Sequence, residues 1–156
     1  MKLLGSVCTD ATSDPPRAGA DEAGRLYARA VAIDDGSWKG RAEAGLRASG
    51  LHAFYAEMLP RLAARGALRM TFLVEPGGED VAYLFGGVHG DTFRGLQFAF
   101  RAGREAGSLG NVAQLAAIEA LVDEGVARYD LGVRADYKRR WAEEEVETVS
   151  VFAVPR

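Results

Sequence analysis

Chemistry in this chain is concentrated in three short stretches. Residues 101–111 combine Arg101 and Arg104 with Gly107, Ser108, Gly110 and Asn111, where a strand-like apolar pattern gives way to a helical one. Glycines at such a junction let a phosphate approach the backbone, and the first amides of the helix sit at the positive end of its dipole. The stretch can therefore hold an anion. It can equally be a strand-to-helix connection that only needs flexible residues. It has neither the lysine and serine of a nucleotide P-loop nor the first glycine pair of a dinucleotide fingerprint.

The second stretch is Tyr129-Asp130-Leu131-Gly132, followed by Asp136-Tyr137-Lys138-Arg139-Arg140-Trp141. Asp130 closes an apolar strand pattern and Gly132 lets the chain turn out of the sheet, at the end of a strand where ligands bind in α/β sheets. Tyr137 is a candidate proton donor, and Lys138, Arg139 and Arg140 are candidates to hold an anionic ligand. Against this, Tyr137 and Trp141 stand at i and i+4, a spacing that more often means packing. The third stretch is Ser37-Trp38-Lys39-Gly40, whose tryptophan is either a ligand wall or a hydrophobic plug. His52 and His89 lie far apart with no partner for a nucleophilic triad, and Cys8 sits in a polar, Pro-Pro-broken arm.

These side chains need elements to place them. Leu26, Tyr27, Ala30 and Ile33 follow helical spacing from Asp21 to Asp34, and Ser37 to Gly45 reads as a loop. Leu51, Phe54, Tyr55, Met58, Leu59 and Leu62 form a second helical stripe with Ser49 as N-cap and Gly66 as stop; Pro60 inside it predicts a kink or a split. Leu68, Met70, Phe72 and Val74 alternate as a half-buried strand, Val81 to Val88 reads as a central strand, and Leu96, Phe98 and Phe100 share one side of a third. After the glycine stretch, Val112, Leu115, Ile118 and Val122 share a helical face ended by Gly125. Then follow a short strand from Val126 to Leu131, a short helix from Asp136 to Trp141 and a last strand from Val146 to Val154. The order predicts an α/β (α+β) domain: an antiparallel meander, then a β-α-β crossover to a parallel strand.

The chain has 156 residues and a formal net charge of −3, which suits one domain over 21–156 preceded by a flexible arm over 1–20. The weak acidity argues against a general nucleic-acid binder. A single cysteine excludes an intramolecular disulfide framework and a cysteine-rich zinc site, so no metal is expected. The opening apolar run is too short for a signal-peptide core, and no run reaches the roughly 20 residues of a membrane span. A cytoplasmic protein without membrane insertion is the expectation.

Ser37-Trp38-Lys39-Gly40, Phe54-Tyr55, Arg65-Gly66-Ala67-Leu68-Arg69 and the Tyr129-Asp130…Tyr137–Trp141 block together resemble the GNAT acyltransferase superfamily, in its Fem-like branch associated with cellulose and exopolysaccharide biosynthesis. The resemblance spans residues 21 to 152. It implies a GNAT-like mixed sheet with helices on both faces that splays to admit acetyl-CoA or another acyl-CoA, and N-acyl transfer to a small-molecule amine. It further implies that Arg101, Arg104, Gly107, Ser108, Gly110 and Asn111 hold the CoA pyrophosphate. Tyr137 matches the family's proton donor, and Trp38, Lys39 and Lys138 would meet the substrate. The family's loop is Gln/Arg-x-x-Gly-x-Gly/Ala, whereas this one runs Arg-x-x-Gly-x-x-Gly. The glutamate base common in the family is absent from Gly95 to Phe100, where Gln97 is the only polar side chain; Asp130 or a water chain is the substitute to consider. Fem-like members commonly have two such halves and this chain resembles the C-terminal one, which leaves two expectations: a homodimer that completes the cleft, or a reduced or degenerate member. Two other readings stand: a non-catalytic CoA-binding or protein-interaction module, and a Fem-like aminoacyltransferase.

Overall fold

The structure, a computed structural model, describes residues 18–48, 50–103 and 108–153. Three helices come first: α1 (Ala18–Asp35), α2 (Trp38–Arg41) and α3 (Leu51–Ala64). They are followed by β1 (Leu68–Val74), β2 (Asp80–His89) and β3 (Thr92–Phe100), then α4 (Leu109–Asp123), β4 (Arg128–Asp130) and a 3-10 helix, Asp136–Arg140. One sheet runs in the order β1-β2-β3-β4, antiparallel between the first three strands and parallel between β3 and β4. This is the expected meander and crossover, with α1 and α3 on one face and α4 on the other. Helix α1 begins at Ala18, inside the segment expected as an arm over 1–20; residues 1–17, with Cys8, lie outside the described residues.

The α1/α3 face holds most of the core. Tyr27, Ala30 and Ile33 of α1 and Tyr55 and Leu59 of α3 pack on Met70, Phe72, Tyr83 and Phe85. Helix α3 runs unbroken through Pro60, so the proline does not split it in two. An interior proline costs about 3 kcal/mol, but burying Tyr55 and Leu59 returns about 1.5–3 kcal/mol each. Ser49 lies outside the described residues and Gly50, at φ 69°, is the N-cap. Gly66, at φ 65°, ends the helix as predicted, with Ala67 N–H donating to Leu62 O at 2.8 Å.

Four expectations about faces need correction. Strand β1 is buried on both sides, because Thr71 and Leu73 are covered on the α4 side while Met70 and Phe72 meet α1 and α3. In β3, Leu96 does not share a side with Phe98 and Phe100. The register with β2 jumps from Phe85↔Gln97 to Gly86↔Gly95, so Leu96 is the extra residue of a bulge. It therefore packs toward α1 and α3, while Phe98 and Phe100 pack toward α4. Helix α4 buries Leu109, Ala113, Ala116, Ala117 and Leu121, leaving Leu115 and Val122 exposed. Its small residues face the sheet because they allow the closest approach. Finally, Val146 to Ala153 forms no strand: it pairs with no strand edge among the described residues, and Val149, Val151 and Phe152 stand almost fully exposed; Val154 lies outside the described residues.

Candidate functional site

Strands β3 and β4 pair over only three residues each, Thr92–Arg94 with Arg128–Asp130. Beyond Arg94 no strand among the described residues pairs with the outer edge of β3. Tyr129 sits at the fork: its ring packs edge-on to Phe93 at 4.8 Å and covers Gly95, where a Cβ would come within 3.0 Å of it. The gap that opens from there is a cleft of about 450 Å³, within the size range of small-molecule sites. Leu96, Gln97, Phe98 and Phe100 form its strand wall, and Tyr137, Lys138 and Trp141 come from the 3-10 segment. Ser108, Gly110, Asn111 and Gln114 come from the start of α4, and Trp38 and Lys39 from α2.

Each contributor is placed by a local reason. Ser37 to Gly40 is a capped helical turn rather than a loop. Ser37 Oγ accepts from Lys39 N–H at 3.1 Å and Gly40 N–H at 3.2 Å, and donates to Asp34 O at 2.7 Å. Gly40 is obligatory, since a Cβ there would stand 2.5 Å from Asp35 O. Cap and glycine thus dock α2 on the end of α1 and send Trp38 and Lys39 into the cleft. Lys39 Nζ donates to Phe98 O at 2.8 Å and lies 5.3 Å from the Phe98 ring centre. Burial lowers its pKa, nearby Asp34 raises it, and Lys138 lowers it further.

At the other end, Ser108 takes φ 48° as the N-cap of α4. Its carbonyl accepts from Asn111 N–H at 2.8 Å and Val112 N–H at 3.1 Å. The N–H groups of Leu109 and Gly110 have no acceptor among the described residues, the ordinary state of a helix start. Gly110 lets that start approach β3: a Cβ there would be 3.2 Å from the Phe98 ring. Gln114, a turn deeper, accepts from Tyr129 Oη at 3.3 Å, and its buried Nε2 has no partner among the described residues. Burial pushes the Tyr129 hydroxyl up to about 12.

Tyr137 is 50% exposed, with its ring 6.2 Å from that of Phe98 and its hydroxyl without a partner among the described residues. Burial raises its pKa, so the phenol is protonated at neutral pH. Lys138 Nζ donates to Leu131 O at 2.7 Å and Val133 O at 2.8 Å, tying down the chain as it leaves β4. Burial and Arg94 lower its pKa, against Asp130, which raises it.

Of the residues singled out in the sequence, the cleft gathers Tyr137, Ser108, Gly110, Asn111, Trp38, Lys39 and Lys138. Asp130 does not line it. Its carboxylate pairs with Arg94 and accepts from Gly132 N–H at 2.8 Å. Burial pushes that carboxyl up, but these hydrogen bonds outweigh it and hold it below the ordinary value. Arg101 is directed away, donating to Asp80 O at 2.9 Å and pairing with Glu79 at 3.3 Å. Arg104 and Gly107 lie outside the described residues. Sequence reasoning quoted Tyr129 in the second stretch without giving it a role, and it missed Gln114 as a cleft residue. The available signal was spacing, since Gln114 stands three residues after Asn111 on one helical face.

A model of the acetyltransferase (GNAT) domain matches residues 11–139. The chain belongs to the GNAT acetyltransferase domain family. Solved structures with the GNAT fold agree at low identity. A protein from Pyrococcus furiosus, provisionally described as an acetyl transferase, aligns with TM-score 0.54 and 12% identity over 68% of this chain and 79% of its own. The aminoglycoside antibiotic 6'-N-acetyltransferase AAC(6')-Ih from Acinetobacter baumannii aligns with TM-score 0.53 and 8% identity over 85% of this chain and 94% of its own. A search of curated proteins finds no match. Among the described residues no helix of this GNAT domain is long and apolar enough to cross a membrane, and no group of three or more His, Cys, Asp and Glu is placed to hold a metal.

Proposed function

We propose that this domain transfers an acyl group, acetyl in the simplest case, from acyl-CoA to a primary amine. The observation that carries the reading is one cleft that gathers a helix start, an unpaired stretch of strand edge and a tyrosine hydroxyl, the last two without partners among the described residues. These residues fit the donor. The open backbone amides of Leu109 and Gly110 suit a pyrophosphate, and Gln114 Nε2, without a partner among the described residues, is a spare donor farther in. Acyl-CoA supplies an acyl group activated as a thioester.

The chain's own groups divide the remaining work. Phe98 O points into the cleft, since it accepts from Lys39. A strand residue's N–H and C=O point to the same side, so Phe98 N–H is the donor placed for a developing oxyanion. Tyr137 Oη, held protonated, gives its proton to the leaving sulfur. No carboxylate among the described residues lines the cleft, so the amine arrives neutral or loses its proton through water; Gln97 is held by Tyr55 Oη at 3.3 Å and orients rather than titrates. Asp130, tied to Arg94, shapes the exit from β4.

The test is thiol release from acetyl-CoA with a primary amine present. Tyr137→Phe should lower kcat about 100-fold while leaving the melting temperature unchanged; full rate in this variant removes the proton-donor role. Acetyl-CoA binding without turnover by any amine would favour the non-catalytic module. The finer placement, a Fem-like protein of polysaccharide synthesis acting as a homodimer, draws support from the exposed apolar run at Val149, Val151 and Phe152. A sedimentation profile that stays monomeric at high concentration contradicts the dimer.

A further inference from the structure

The cleft has an electrostatic character that the acyl-transfer reading does not use. Its described lining contains two lysines, Lys39 and Lys138, and no aspartate or glutamate. The walls around them are rings: Trp38, Phe98, Tyr137 and Trp141. Lys39 Nζ has three donor hydrogens, and one is spent on Phe98 O. Lys138 Nζ spends two on the carbonyls of Leu131 and Val133. Three N–H donors therefore point from half-buried ammonium groups without protein acceptors among the described residues. Burying a charge is costly unless a partner meets it.

Nearby acids do not fill that role. Asp34 is fully buried behind Lys39, with its carboxylate engaged by Leu46 N–H at 2.6 Å and Tyr83 Oη at 2.9 Å. Asp130 is committed to Arg94 and Gly132. The unspent donors are left for something that enters the cleft.

We propose that the acceptor amine carries an anionic oxygen group, held by Lys39 Nζ with Lys138 Nζ beside it. The proposal rests on the acyl-transfer reading for the word acceptor, but the anion site itself does not depend on turnover. An aromatic-walled cleft favours a compact acceptor whose anionic group reaches Lys39 while its amine stays near Phe98 N–H and Tyr137 Oη. A dicationic acceptor would face uncompensated repulsion from both lysines. The other anion that could use Lys39 is a phosphate of the acyl-CoA donor, and the experiment separates the two.

Three matched amines serve as probes: 4-(aminomethyl)benzoate, 4-(aminomethyl)benzamide and the dication of 4-(aminomethyl)benzylamine. Ligand-observed NMR titration gives their affinities with CoA present, and thiol release gives kcat/KM in parallel. The wild-type protein should favour the benzoate over the benzamide at least tenfold in both readouts, about 1.4 kcal/mol, and should disfavour the dication. Lys39→Met should bring the benzoate-to-benzamide ratio close to one, and Lys39→Arg should keep most of it. Equal affinities in the wild-type protein, or preference for the dication, overturns the proposal with no variant needed. It is also overturned if Lys39→Met leaves the ratio intact and instead raises the KM for acetyl-CoA, because the donor's phosphate then owns the lysine. Benzoate-selective binding without any acyl transfer would sustain the anion site and defeat the acyl-transfer reading.

Discussion

On its α1/α3 face the sheet is covered by large rings. Phe85 alone has Tyr55, Tyr83 and Tyr27 within 5.1, 5.6 and 6.2 Å, centre to centre. On the α4 face the helix presents Gly110, Ala113, Ala116 and Ala117. Rings in edge-to-face contact fill volume and fix orientation. Small residues let a helix come close at chosen points and supply little bulk with which to close the gap where β3 and β4 diverge. The closed face holds the fold together, and the face of alanines and glycines carries the cleft.

That contrast can be broken by substitution. Phe85→Ala, at the centre of the closed face, should have the largest effect, a loss of about 3–5 kcal/mol. By calorimetry this lowers the melting temperature by about 10 °C. A smaller loss than at any cleft residue would reverse the assignment. Gly95→Val pushes against the Tyr129 ring, which stands 3.0 Å from the new Cβ position. It should cost about 1–3 kcal/mol, read from the denaturant midpoint, and should weaken acetyl-CoA binding as well; stability loss with unchanged binding would disconnect the fork from the cleft. Asp130→Asn should have the smallest effect, below about 1 kcal/mol, because its ion pair with Arg94 is half exposed. The sign of its pH dependence is fixed. The folded carboxyl titrates below the ordinary value, so its stabilisation is present above the unfolded pKa of about 3.9 and disappears as pH falls through the lower folded value. Wild type and Asp130→Asn should converge in acid.

Much of this was legible in residue order. Strand β2 showed as an unbroken apolar run and lies between β1 and β3. The Ser37-Trp38-Lys39-Gly40 spacing pointed to a site without giving its logic, which is a serine cap and a glycine that admits the end of α1. Other features depend on partners far away in sequence. The bulge at Leu96 is invisible to alternation because it exists only in the register with β2. Helix α4 misled because its most apolar stripe is not the buried one: close packing against Ala82 and Leu84 selects alanines over Leu115 and Val122. The alternation of Val149 and Val151 promised a strand, but a strand also needs an edge to pair with. Arg101 carried the right charge in the right segment, yet the β1–β2 turn claims it through Glu79 and Asp80.

The gap between β3 and β4, headed by the start of α4, is the proposed acyl-CoA site. Calorimetric titration of the wild-type protein and Gly110→Val with acetyl-CoA tests it most directly. The wild-type protein should show one saturable site per chain. In Gly110→Val, whose Cβ would stand 3.2 Å from the Phe98 ring, affinity should be at least tenfold weaker, about 1.4 kcal/mol. No heat of binding in the wild type, or equal affinity in a folded Gly110→Val, would contradict it.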